Sequence, residues 1–128
     1  MPAYLLDTSV LIDALNRKRN RHELLRELLE QRHLLACCPV NVTEVYAGVR
    51  PHEEARTGEF LASLEFFDVT WEIARKAGLL RRDYGRKGKT LSLADATIAA
   101  VAMAHDLTLL TDNQKDYPMP EIKLYPMR

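Results

Sequence analysis

At 128 residues the chain is expected to fold as one domain, residues 1–128, with a single substantial core. Its 18 basic and 18 acidic side chains cancel, so any nucleic-acid interface must rest on local charge and not on the total. No stretch is apolar enough for long enough to span a bilayer, and Asp7 and Asp13 interrupt the apolar N-terminus where a secretory signal would need it unbroken; a cytoplasmic, non-membrane protein is expected.

In chain order, AYLLD (3–7) reads as a strand, and SVLIDALN (9–16) as a helical turn or two. RHELLRELLEQR (21–32) sets Leu24, Leu25, Leu28 and Leu29 on one helical face with charges opposite. HLLACC (33–38) is a second short apolar run, closed by Pro39. NVTEVYAGVR (41–50) has helical spacing and stops before Pro51. A charged helix over EEARTGEFLASL (53–64), a strand over FFDVT (66–70) and a helix from Trp71 to about Tyr84 follow. GRKGK (85–89) reads as a basic loop, and SLADATIAAVAMAH (92–105) as a helix buried on most sides. LTLLT (107–111) and IKLYP (122–126) supply the last strands. Strands alternating with helices predict an α/β fold, a mainly parallel sheet covered on both faces. The adjacent Cys37 and Cys38 would point to opposite faces of a strand, so they are expected reduced and buried, without a bridge or a metal.

The acids fall at particular places. Asp7 ends the first strand, Glu44 and Asp95 lie just inside helices, and Asp112 follows the strand LTLL. Open α/β sheets bind ligands at the carboxyl ends of their strands. Asn41-x-x-Glu44 and Ser92-x-x-Asp95 also have the form of capping boxes, which would make both acids structural, and Asp112 has the form of a turn residue. Asp7 abuts an apolar strand, where an uncompensated charge is costly. Several acids converging without basic residues between them favour a divalent cation, and an all-oxygen site suits Mg²⁺ or Mn²⁺.

YLLDTSVLIDAL, TEVYAGV, LSLADATIAAVAMAHDLTLLTDN and KDY, in this order, resemble a PIN domain, and more closely the VapC-type toxins of toxin–antitoxin pairs. The resemblance spans nearly the whole chain. It implies a three-layer α/β/α sandwich on a short parallel sheet and a Mg²⁺- or Mn²⁺-dependent endoribonuclease that cuts RNA with a metal-activated water. It places Asp7, Glu44 and Asp95 at the three core acidic positions. For the fourth it offers Asp112, ranked first, or Asp116, the acid before the aromatic; Asn113 is also within reach. Thr8, Ser9, Thr111 and Asn113 are expected around the acids as orienting groups, with Thr8 and Ser9 equally suited to capping the next helix. The resemblance further implies a homodimer silenced by a cognate antitoxin. Arg81, Arg82, Arg86, Lys87 and Lys89 are candidate contacts to an RNA backbone. The competing readings are a non-catalytic PIN-like module that binds RNA or protein, and a housekeeping PIN nuclease with no antitoxin. A haloacid-dehalogenase-like phosphatase is disfavoured, because Ser9 stands where that chemistry wants a second acid.

Overall fold

The structure is a computed structural model that describes residues 3–127. Five parallel strands, β1 (Ala3–Leu6), β2 (Leu34–Cys37), β3 (Glu65–Phe66), β4 (Thr108–Leu110) and β5 (Lys123–Leu124), form one sheet in the order β3-β2-β1-β4-β5. Six helices connect them: α1 (Thr8–Leu15), α2 (Arg21–Glu30), α3 (Pro39–Ala47), α4 (Glu54–Ala62), α5 (Trp71–Arg86) and α6 (Leu93–Ala104).

The three layers follow from the twofold period of the strands. Leu5, Ala36, Cys38 and Leu109 point to one face, where they pack with Ile73, Ala77 and Leu80 of α5 and Ile98, Ala99 and Ala102 of α6. Their neighbours Leu6, Leu35, Cys37 and Leu110 point to the other, against Val10 and Leu11 of α1, Leu25 and Leu28 of α2, Val45 of α3 and Leu61 of α4. Both faces being covered is why the strands read as continuous apolar runs. The expected α/β sandwich is therefore present. Cys37 and Cys38 are both buried and free, on opposite faces. Among the described residues no helix is long and apolar enough to cross a membrane.

Three local expectations change. The strand expected at FFDVT shrinks to the pair Glu65–Phe66. After Phe67 N–H reaches the Cys37 carbonyl, the Asp68 side chain turns onto Val69 N–H and Thr70 caps α5, so pairing stops. Helix α3 begins at Pro39 and not at Asn41, because a first helical position has no use for the N–H that proline lacks. Helix α5 runs on to Arg86, which takes Gly85 and Arg86 out of the expected basic loop.

Of the leucine face of α2, Leu25 and Leu28 are buried and Leu24 is partly so, whereas Leu29 is 55% exposed.

Candidate active site

Strand order places β1 at the centre. The chain leaves it toward β2 and β3, then crosses to its other side for β4 and β5. The carboxyl ends of β1 and β4 thus flank the point where the winding direction reverses, the place where such sheets leave a crevice. Asp7 and Thr111 are the residues that follow these two strands, and the Asp7 N–H closes the ladder by bonding the Leu110 carbonyl at 3.0 Å.

Asp7 is 6% exposed and is the N-cap of α1. Its carboxylate accepts from Thr8 N–H (2.9 Å, Oδ1), from the Thr111 hydroxyl (2.6 Å, Oδ2) and from the Tyr117 hydroxyl (3.1 Å, Oδ1). Burial nevertheless pushes its pKa up; these three bonds work the other way, and Glu44 adds to the rise. The cost of an acid against a core strand is thus only partly offset. Asp7 is hydrogen-bonded, and among the described residues no base pairs with it.

Tyr117 joins Asp7 to Asp95. Its hydroxyl lies 3.1 Å from Asp95 Oδ1 as well, and burial first, then the two carboxylates, hold the phenol protonated at any ordinary pH. Asp95 sits in the first turn of α6, where its N–H bonds the Ser92 hydroxyl at 3.0 Å while its carboxylate turns to Tyr117. Its pKa is raised by burial, held partly down by Ser92 and Tyr117, and pushed up again by the charges of Asp7 and Asp116. Asp116 is thus near enough for its charge to act on Asp95.

Glu44 enters by a relay. Because α3 starts at Pro39, Glu44 lies mid-helix and is not the acid of a capping box. Fully buried Asn41 accepts from Cys38 N–H (2.8 Å) and donates to Thr8 Oγ1 (3.0 Å); Thr8 then donates to Glu44 Oε1 (2.6 Å). Since Cys38 N–H can only donate, the polarity of the whole relay is fixed from that end.

Asp112 stands apart. Both its oxygens are engaged by Arg21, through Nε at 3.0 Å and through the second guanidinium arm, in an ion pair whose side chains are 11% and 12% exposed. A carboxylate so held is poorly available to a cation. Of the expected orienting groups, Thr8 and Thr111 touch the acids, and the Asn113 N–H bonds Thr111 Oγ1 at 3.0 Å. The buried Ser9 hydroxyl has no partner among the described residues.

The basic candidates divide. Arg81 Nε bonds the Leu91 carbonyl (3.0 Å) and ties α5 to the start of α6, Arg82 pairs with Asp83, and Lys87 lies over the Tyr84 ring at 4.9 Å. For Arg86 and Lys89 no ion pair or side-chain hydrogen bond is formed among the described residues. Tyr117, Asn41 and Arg21 were not expected at the site. The tyrosine could have been found from KDY, where an aromatic follows an acid; Asn41 showed only as the start of an apparent capping box, and Arg21 carries no local signal.

Tyr117→Phe tests the shared hydroxyl. A hydrogen bond to a charged group contributes about 1.5–3 kcal/mol, and this one favours ionised Asp7 and Asp95. Without it, both carboxyls rise further. A group with a raised folded pKa is most stabilising below its unfolded value of 3.8 and loses that stability as pH rises through the folded value. The variant should therefore lose most in urea melts at pH 8 and visibly less at pH 5. Equal losses at both would place the hydroxyl's role in packing.

The model of the PIN domain family matches residues 4–118. Ribonuclease VapC19 of Mycobacterium tuberculosis is 34% identical over 115 residues, 90% of this chain and 92% of that protein. A toxin–antitoxin complex from Klebsiella pneumoniae contains a chain that superimposes with a TM-score of 0.78 at 30% identity, covering 97% of this chain and 99% of that one. VapBC2 of Rickettsia felis, bound to a promoter DNA fragment, superimposes with a TM-score of 0.81 at 26% identity, over 96% and 97% of the two chains. With its strand order, its sandwich layers and its acids at the carboxyl ends of β1 and β4, the chain belongs to the PIN domain family.

Proposed function

We propose that this protein is an endoribonuclease, the toxin of a toxin–antitoxin pair, and that Asp7, Glu44, Asp95 and Asp116 hold a divalent cation, Mg²⁺ or Mn²⁺, for cleavage of RNA. The observation that carries this reading is the pairing of Asp7 with Asp95 across Tyr117. Both carboxyls are raised in pKa, each raises the other or is raised by a further acid, and among the described residues neither has a basic partner. A non-catalytic module has no use for such a cluster.

The residues fit such an ion. The donor set is all oxygen and its mutual repulsion is what a cation relieves. Among the described residues no three acids, histidines or cysteines form a ready-made cage, so one or two of the four acids would bind the ion directly and the others through its waters. Once bound, the ion supplies a lowered water pKa and charge for the phosphate and leaving oxygens.

The chain's own residues set the stage. A carboxylate offers about four lone-pair sites; Asp7 accepts from Thr8 N–H and Thr111 and shares the single Tyr117 proton with Asp95, so its free, oriented site is on Oδ2. Thr8 fixes Glu44 by Oε1, which leaves Oε2 to accept a proton from an attacking water. Arg86, Lys87 and Lys89 beside α6 suit the RNA backbone, where phosphate contacts supply sequence-independent affinity.

Partners follow from two apolar grooves. Ile12, Leu15, Val45 and Val49 line one between α1, α3 and α4; Leu25, Leu29, Phe60 and Leu64 line another between α2 and α4. An amphipathic antitoxin helix fits such grooves. An arginine or lysine following it could neutralise the acids and exclude RNA together. A second copy is expected against α5 and α6, where Trp71 and Leu93 are 75% and 66% exposed.

The decisive test is purified protein with total RNA and Mg²⁺, Mn²⁺ or EDTA. Cleavage with either ion and none in EDTA is expected, as is growth arrest on expression in the cytoplasm, relieved by the neighbouring small gene. No cleavage at any ion concentration ends the nuclease reading; cleavage without growth arrest leaves a housekeeping PIN nuclease.

A further inference from the structure

Two features beside the acids have no role in the reading above. The first is the bidentate pair of Arg21 with Asp112, nearly shut off from solvent. The second is the link from α1 to α2, where Arg17, Arg19 and Asn20 all have left-handed backbone, with φ of 55°, 55° and 57°. Three non-glycine residues in that region store strain, and such strain persists where the surroundings over-determine it. The same guanidinium supplies the determination: its remaining arm donates to the Arg19 carbonyl at 3.1 Å. Arg21, the first residue of α2, thus fastens a strained turn on one side and Asp112 on the other.

Asp112 is not an arbitrary anchor. It lies between Thr111, whose hydroxyl donates to Asp7 Oδ2 at 2.6 Å, and Asn113, whose N–H donates to that hydroxyl at 3.0 Å. This short segment has left β4 and has only a short 3₁₀ turn (Gln114–Asp116) before Tyr117. It carries, within seven residues, Thr111 and Tyr117, whose hydroxyls bond Asp7 or Asp95, and Asp116, whose charge acts on Asp95. A planar, two-bond fork fixes orientation as well as distance, which a lysine's point charge does not.

We infer that Arg21 and Asp112 form a clamp that positions the Thr111–Tyr117 segment against Asp7 and Asp95, and that Asp112 acts through this pairing and not as a cation ligand. The role rests on the nuclease reading, since it positions the acids that reading uses. Arg21 is a positioning residue: it touches neither the acids nor a substrate, and it acts through Asp112 and Thr111.

A double-mutant cycle tests this. Arg21→Gln and Asp112→Asn should each lower kcat by on the order of ten- to a hundredfold, the scale of an ångström of misplacement. The KM for RNA should stay within about twofold, since the substrate grip is elsewhere. The double variant should be no worse than the poorer single one, and the Kd for Mn²⁺ or Mg²⁺ by calorimetry should hold within about twofold in Asp112→Asn. Loss of cation binding in Asp112→Asn would make Asp112 a ligand and overturn the clamp. So would additive losses, or singles with wild-type kcat. Should either single variant fail to fold, Arg21→Lys keeps the charge without the fork and should still show the lowered kcat; wild-type kcat in it overturns the clamp. If the wild type cuts no RNA at all, the nuclease reading fails by itself. The clamp is then judged on amide exchange at Thr111–Asn113, which both singles should accelerate and the double no further; unchanged exchange in the singles refutes it.

Discussion

Asp95→Asn is expected to abolish RNA cleavage while the metal-free protein melts no lower than wild type, and higher at alkaline pH. The asparagine keeps the shape, keeps the backbone N–H that bonds Ser92, and keeps an oxygen for the Tyr117 hydroxyl. What it removes is a charge that burial, Asp7 and Asp116 all disfavour. The raised folded pKa means that ionising Asp95 costs the folded state stability at any pH above that value, so the neutral isostere gains there and is level with wild type near pH 4. Asp7→Asn should be equally inactive but should not share the gain. Both oxygens of Asp7 accept hydrogen bonds, so one NH₂ of the asparagine would face a donor, Thr111 or Tyr117, and lose that bond. Melting in EDTA at pH 8, together with RNA cleavage at matched purity, separates these outcomes. Full activity in both variants would remove the two acids from the chemistry. An Asp95→Asn protein that melts several degrees lower would make Asp95 a cap after all.

The sandwich was legible because the inner positions of the central strands, Leu5 and Leu6, Leu35 to Cys37, and Leu109 and Leu110, are all buried, so AYLL, LLAC and TLL leave no alternation to misread. Asp7 was legible for the opposite reason: a carboxylate abutting a run like that is a cost that needs an explanation. Glu44 was ambiguous only because Pro39 reads equally well as the end of a strand and as the first residue of a helix; once the helix starts there, Asn-x-x-Glu is no capping box. The pairing that occupies Asp112 was hidden for a different reason. Arg21 belongs to a basic run, RKRNRH, that sequence treats as a solvated surface, and its partner lies 91 residues away. No local rule reports a pairing of that separation. Tyr117 is a buried aromatic in the core by composition, and only its hydroxyl, set between the acid that follows β1 and the acid in the first turn of α6, makes it part of the site.

Asn41→Ala should cost the protein about 2–4 kcal/mol and most of its activity. Asn41 is fully buried, and its removal orphans the Cys38 N–H, a penalty of about 1–3 kcal/mol for one buried donor, with lost packing on top. It also frees the Thr8 hydroxyl, which then has no fixed direction in which to hold Glu44. Stability and function fall together in that variant, so it cannot by itself separate a core asparagine from a relay. Asn41→Asp can. The new carboxylate still accepts from Cys38 N–H, but its second oxygen can only accept, and the Thr8 O–H will turn toward it and away from Glu44. That fully buried carboxylate has no basic partner among the described residues, so the aspartate variant should lose stability too at pH 8. What marks the relay is kcat, down by about tenfold or more with RNA KM unchanged, which lost stability alone does not produce in the folded protein. Thr8→Val removes the same hydroxyl directly and should lower kcat to a similar degree. Combining it with Asn41→Asp should add little, because both cut one hydrogen bond to Glu44. Wild-type kcat in Asn41→Asp would show that Glu44 needs no orienting donor, and the relay from Cys38 would then be packing alone.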